Sequence, residues 1–138
     1  MTIKSPNDAA SVIPAAHEDL LTRPLFVHLA TIGPDGAPHV NPVWQIWDGE
    51  FLRFTTTTTR RKYKNVVAHP EVSVSVNDPE RPYRYLEVRG TVERIEPDPT
   101  GAFFDVLAQR YGLEYEGPLD DADRRVVLVL RPEHTTSQ

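Results

Sequence analysis

The sequence predicts a small, mainly antiparallel β-barrel, and three stretches carry that prediction. Asp48-Gly49 separates VWQIW from EFLRF, and an Asp-Gly pair between alternating strand residues is the strongest short-range hairpin signal. Val72, Val74 and Val76 alternate with Ser73, Ser75 and Asn77, the period-two pattern of a half-buried strand. RVVLVL at 125–130 is nearly continuous in apolar residues, and burial on both faces argues for a closed barrel over an open, one-sided sheet.

The composition sets the frame. A chain of 138 residues fits one domain and buries a real core without covalent staples. With no cysteine, disulfides, thiolate nucleophiles, iron–sulfur ligation and cysteine zinc sites are excluded. Residues 1–16 lack the apolar core of a signal peptide, and no later run is long enough to span a bilayer, so the expectation is a cytoplasmic protein that makes no membrane contact. The net charge of −5 argues against nucleic acid as a partner.

In chain order, residues 1–16 mix Pro, Ser, Asn and Ala without periodicity and predict a mobile arm ahead of a single domain over 17–138. Residues 16–21 suit one helical turn stopped by Arg23-Pro24. LFVHLATI at 25–32 is a strand, Gly33-Pro34-Asp35-Gly36 a hairpin loop, and 39–47 the return strand. Pro42 inside that strand lacks a ladder donor, which places it at a sheet edge, at a bulge, or beside something other than a strand. Residues 51–57 form the third strand, and Tyr63, Val66 and Val67 recur at helical spacing, so 60–68 reads as a short helix capped by Thr59 and ended by His69-Pro70. NDPERP at 77–82 is a loop, and 83–95 is a long strand with a bulge or bend at Gly90. Residues 100–110 are helical, with Phe103, Phe104, Leu107 and Tyr111 as an apolar stripe, and an acidic loop leads to the last strand. The sum is six strands and two short helices.

The chemistry gathers at the junction after the third strand. Arg60, Arg61 and Lys62 fall in the first turn of the helix, where the peptide dipoles already place positive charge and each cation is opposed by roughly 0.3–1 kcal/mol. Thr55 to Thr59 read alone as an exposed strand end, and a charge run usually reads as a solvated face. A solvated face gives no reason to put cations against the dipole, so the junction predicts an anion site, most simply for phosphate. Trp44 and Trp47 point to opposite faces of their strand, which leaves at most one for the core. Tyr83 and Tyr85 share a face with Arg84 on the other. The five histidines show no metal-ligand spacing, and no G-x-S-x-G, P-loop or G-x-G-x-x-G is present.

Taken in order, Asp35-Gly36-x-Pro38, Asn41-Pro42-Val43-Trp44, Trp47-Asp48-Gly49, Phe54-Thr55-Thr56, Arg60-Arg61-Lys62, Asn65, Pro70, Pro82-Tyr83-Arg84-Tyr85 and Val88-Arg89-Gly90-Thr91-Val92 resemble the pyridoxamine 5'-phosphate oxidase-like split-barrel flavoproteins. The resemblance is strongest to the branch that uses the deazaflavin coenzyme F420. It implies a mainly β, split β-barrel of six or so mostly antiparallel strands with a few short α-helices, in a homodimer with cofactor sites at the subunit interface. By position it assigns the cofactor phosphate to Thr56, Arg60, Arg61 and Lys62, the ring system to Asn41, Val43 and Trp44, and the substrate side of the ring to Tyr83 and Tyr85 of the partner subunit. Flavin-using oxidases carry Ser-Arg-Lys where this chain has Arg60-Arg61-Lys62, which tilts the cofactor from flavin mononucleotide towards F420. The implied activity is hydride transfer from a reduced deazaflavin to a small conjugated acceptor, with no metal and no catalytic acid or base assigned. The alternatives are a flavin mononucleotide oxidase or flavin reductase, and a non-catalytic barrel that binds a cofactor or tetrapyrrole.

Overall fold

The computed structural model describes residues 12–138. Its frame is one seven-stranded sheet in the order β2-β1-β5-β6-β7-β4-β3, and every pairing is antiparallel. The strands are β1 (Val27–Ile32), β2 (Pro38–Val43), β3 (Ile46–Trp47), β4 (Leu52–Thr57), β5 (Glu71–Asp78), β6 (Arg81–Pro97) and β7 (Arg125–Ser137). Three short helices accompany them: α1 (Asp19–Thr22), α2 (Arg61–Ala68) and α3 (Ala102–Arg110). The sheet curls around a core that includes Leu20, Leu21, Leu29, Phe54, Val74, Val88, Leu128 and Leu130. Each of these side chains contributes about 1.5–3 kcal/mol relative to exposure.

Several expectations are corrected. The run at 39–47 is not one strand: β2 pairs with β1 at one end of the sheet, β3 pairs with β4 at the other, and Trp44-Gln45 crosses between them. Gln45 is fully buried at the crossing and donates from Nε2 to the Leu21 carbonyl, 2.8 Å away. This split raises the strand count from six to seven, and the helical turn before β1 forms α1, which brings the helices to three.

The ring is also not closed by hydrogen bonds, because β2 and β3 remain edges. The second face of β7 is buried by its neighbours: Val129 lies in register with Arg53 and Arg94, whose stems flank it, and Val127 lies between Thr55 and Glu96. Long charged side chains can bury apolar surface along their stems while their heads stay wet. A one-face core plus an arginine ladder therefore accounts for RVVLVL without closure.

The turn at Asp48-Gly49 joins β3 to β4, but through residues 48–51 instead of two. Gly49 alone has positive φ, at 94°, while Asp48 Oδ1 accepts from the amides of Glu50 (2.8 Å) and Phe51 (2.7 Å) in an Asx turn. α2 begins at Arg61 with Arg60, not Thr59, at its N-cap. Of the predicted arm, residues 1–11 lie outside the described residues. Residues 12–16 join the folded unit: Ile13 is in the core, and the Val12 carbonyl accepts from Thr135 Oγ1 at 2.7 Å.

Other expectations hold. Pro42 lies on an edge strand, where a missing donor is tolerated. The β6–β7 register shifts at Gly90, and a Cβ there would collide with the Arg131 carbonyl oxygen. Among the described residues no helix is long and apolar enough to cross a membrane.

Candidate cofactor site

β4 and α2 meet at Thr58–Thr59, where backbone and hydroxyl bonds fix a sharp turn. The Thr58 amide donates to the Arg124 carbonyl (3.1 Å), the Arg60 amide to the Thr57 carbonyl (3.1 Å), and the Thr57 and Thr59 hydroxyls are 2.9 Å apart. α2 is then pinned inward by Val66 and by Asn65, which is 0% exposed and donates from Nδ2 to Thr31 Oγ1 on β1 at 2.9 Å. No side chain caps the helix start. The first-turn amides of a helix have no partners within it, so they remain free for a ligand.

Two hollows open on either side of this junction, and both are lined by Arg60 and Lys62. The first, about 280 Å³, is walled by Phe26, Val43, Trp44 and Phe104, with Thr55, Thr56 and Arg125 among its polar groups. The second, about 350 Å³, is polar and includes Thr31, His39, Asn41, Arg61 and Asn65. All seven residues assigned to the cofactor from the sequence thus line these two hollows: Val43, Trp44, Thr56, Arg60 and Lys62 the first, and Asn41 and Arg61, with Arg60 and Lys62 again, the second. Tyr83 and Tyr85 do not join them within one protomer. Tyr83 is 85% exposed and lines a separate cleft with His17, Arg81 and Gln138, while Tyr85 is half-buried on the same strand.

The electrostatics separate this region from the rest of the surface. Among the described residues, none of Arg60, Arg61, Lys62 and Lys64 has a carboxylate within 4.0 Å. Burial, then the charges of Arg60 and Arg125, hold the Lys62 ammonium below the ordinary lysine range. Arg125 is better satisfied: it forms a two-pronged pair with Asp121 (3.0 and 3.1 Å), donates to Thr55 Oγ1 at 3.2 Å, and lies 4.7 Å over the Phe104 ring. Thr56 is 1% exposed and, among the described residues, its buried hydroxyl has no partner; Asn65 Oδ1 is likewise buried and unpartnered. A buried hydroxyl without a partner is costly, so its persistence in a cation-lined hollow fits a bound anion that accepts from it.

The aromatic wall is ordered. Trp44 stacks on Tyr111 with centroids 5.3 Å apart and planes at 11°, and meets Phe104 at 5.8 Å. Trp47, by contrast, is a core residue whose Nε1 donates to Glu18 at 2.9 Å, so one tryptophan is structural and the other faces the cavity. The arrangement offers an aromatic-walled hollow with cations at one side, which suits a ligand with a ring and an anionic tail. Among the described residues no cluster of three or more His, Asp or Glu side chains is placed to hold a metal.

Sequence reasoning missed Phe26, Phe104, Arg125, Thr31, His39 and Asn65 as lining residues. Arg125 carried a signal as the charge that opens an apolar strand, and Asn65 as a polar residue on the inward face of α2. Phe26 carried none.

The comparisons with known proteins follow the same lines. The profile of the family described as Pyridoxamine 5'-phosphate oxidase matches residues 13–138. A solved structure named F420 reductase is 55% identical, with a TM-score of 0.88 over 91% of this chain and 100% of that one. A conserved hypothetical protein of Mycobacterium tuberculosis, Rv2991, shares the fold at 24% identity and TM-score 0.69, covering 98% of this chain and 84% of its own. A putative pyridoxamine 5'-phosphate oxidase from Listeria innocua shares it at 20% identity and TM-score 0.64, covering 82% and 87%. A comparison with curated proteins finds no significant match.

Proposed function

The chain belongs to the pyridoxamine 5'-phosphate oxidase family, and we propose that within it the protein is an F420-dependent reductase acting on a small conjugated organic molecule. The observation that carries this reading is the set of unpaired cations at the start of α2, beside an aromatic slot and the orphaned Thr56 hydroxyl. The 55% identity to a structure named F420 reductase supports the choice of coenzyme.

In this reading Arg60, Arg61 and Lys62 bind the anionic portion of the coenzyme, with Thr56 donating to it. Charge-assisted hydrogen bonds of this kind contribute about 1.5–3 kcal/mol each. Asn41, Val43 and Trp44 lie along the ring system. Phe26 and Phe104 complete walls that exclude water from the reacting face. The protein acts as a homodimer in which Tyr83 and Tyr85 of a second copy complete the substrate side. When bound, a reduced deazaflavin supplies a hydride to a conjugated or imine-like acceptor. The chain's contribution is orientation and desolvation, for which fixed geometry suffices, and no side chain is assigned as proton donor.

The test is to follow coenzyme absorbance while the protein, reduced F420 and a panel of quinones, enones and imines are mixed. Acceptor-dependent oxidation at catalytic protein concentration is the expected result. A coenzyme that binds but is never oxidised would leave a carrier, and no binding at all would remove the reading. The family description favours one second reading, flavin mononucleotide in the same slot. A protein that purifies yellow, with flavin released on denaturation, would establish that alternative instead.

A further inference from the structure

We infer that Arg110 and Tyr111, at the end of α3, are positioning residues that hold the Trp44 indole as a rigid wall of the cavity. Trp44 sits in the crossing between β2 and β3, outside both strand ladders, so no sheet register fixes its ring. What fixes the crossing comes from α3. The Arg110 guanidinium donates to four carbonyls: Gln45 (2.9 Å), Leu21 (2.9 Å), Thr22 (3.2 Å) and Arg23 (2.9 Å). It therefore clamps the residue after Trp44 to the last turn of α1, where a cation also meets the negative end of the helix.

Tyr111 completes the clamp. Its hydroxyl donates to the Leu25 carbonyl at 2.7 Å and accepts from the Gln45 amide at 3.1 Å, so it ties the crossing to the chain just before β1. Its ring covers one face of Trp44 at 5.3 Å and 11°. Trp44 lines the cavity and Tyr111 does not, which places the tyrosine behind the indole. Phe104, seven residues earlier on α3 and so on the same helix face, brackets the indole from a second direction at 5.8 Å. A planar ligand meets a Trp44 surface whose rotamer is already selected, and preorganisation of this kind raises affinity without a new contact.

This inference rests on the reading of the slot as a planar-cofactor site, and its test separates the two. Trp47→Phe leaves Trp44 as the only indole, and Tyr111→Phe, Tyr111→Leu and Arg110→Lys are compared in that background. The first readout needs no coenzyme: acrylamide quenching of Trp44 emission rises in Tyr111→Leu and rises less in Tyr111→Phe, which keeps the stacked ring but loses the hydroxyl bonds to Leu25 and Gln45. The second is titration with F420 and with flavin mononucleotide. Tyr111→Leu weakens the cofactor that binds by about five- to tenfold, the size of an aromatic pair, and Tyr111→Phe largely restores it. Val74→Ala, a core truncation on β5 outside the slot, serves as the stability control. Quenching unchanged in Tyr111→Leu overturns the inference, as does a loss of affinity matched by Val74→Ala at equal melting temperature. If neither cofactor binds the parent chain, the function reading fails while the quenching result still decides whether Tyr111 positions Trp44.

Discussion

Two arginine-rich regions of this protein obey opposite rules. On the outer face of β4, β6 and β7, three guanidinium groups are each paired with carboxylates: Arg53 with Asp48 (3.1 Å) and Glu96 (3.1 Å), Arg94 with Glu93 (2.8 Å) and Glu96 (3.0 Å), Arg131 with Glu93 (3.0 Å) and Glu133 (3.3 Å). At the start of α2, Arg60, Arg61 and Lys62 have none within 4.0 Å among the described residues, although the helix dipole and their mutual repulsion both oppose them. The first region is complete as it stands, with arginine stems covering Val129 and their heads paired. In the proposed reading the second is completed by the anionic part of the coenzyme. Cation count would rank the regions alike; pairing and position tell the structural surface from the binding surface.

The largest expected effect is on the unpaired side. Arg60→Ala with Lys62→Ala weakens coenzyme binding by about 3–6 kcal/mol, a hundredfold or more in Kd, from the loss of two charged hydrogen bonds. The same double variant, free of ligand, melts no lower than the parent, because it removes a desolvated ammonium and its repulsion with Arg60. Calorimetry with and without coenzyme reads both.

Lys62 gives the pH dependence. Its proton is held more weakly in the folded chain than the ordinary lysine value of 10.5 implies. In the free chain the group therefore opposes folding at pH below its folded pKa, and this opposition is relieved as pH rises towards 10.5. A bound anion reverses the preference, so affinity is flat at neutral pH and falls as pH rises through the lowered pKa. Lys62→Arg, charged throughout, abolishes that alkaline fall in a Kd series.

A smaller effect is expected from Thr56→Val, which keeps the shape and removes the orphaned hydroxyl. The free chain gains about 1 kcal/mol in denaturant titration, while coenzyme affinity drops by about 0.5–1.5 kcal/mol. The smallest belongs to the paired region: Arg94→Gln, which keeps most of the stem and removes the charge, changes stability by less than about 1 kcal/mol, as exposed ion pairs do, and leaves coenzyme affinity unchanged. A large loss of binding from that substitution would collapse the contrast between the two regions.

The cationic junction was legible in the sequence because its signal is local: a strand, a turn and a misplaced charge run lie within a dozen residues. The alternating valines of β5 and the Gly90 bulge were legible for the same reason. What escaped depends on distant partners. The break at Trp44-Gln45 is imposed by Leu21, Arg110 and Tyr111, none of them near in sequence. The polar end of β7, residues 131–137, looks like a tail until β6 supplies its hydrogen-bonding partner. The open edge of the sheet was hidden because Val127 and Val129 mimic a two-sided core while cross-strand stems bury them. Phe104 and Arg125 enter the slot only when α3 and β7 meet the crossing.

The central claim is that the unpaired cations of α2 and the aromatic slot form one site for a planar, anionic coenzyme. Equilibrium titration of the parent chain and of the Arg60→Ala, Lys62→Ala variant with oxidised F420, followed by quenching of tryptophan emission, tests it most directly. Saturable quenching in the parent, lost in a variant that remains folded, is the predicted result. Equal affinity in the two proteins, or no saturation in the parent, would contradict it.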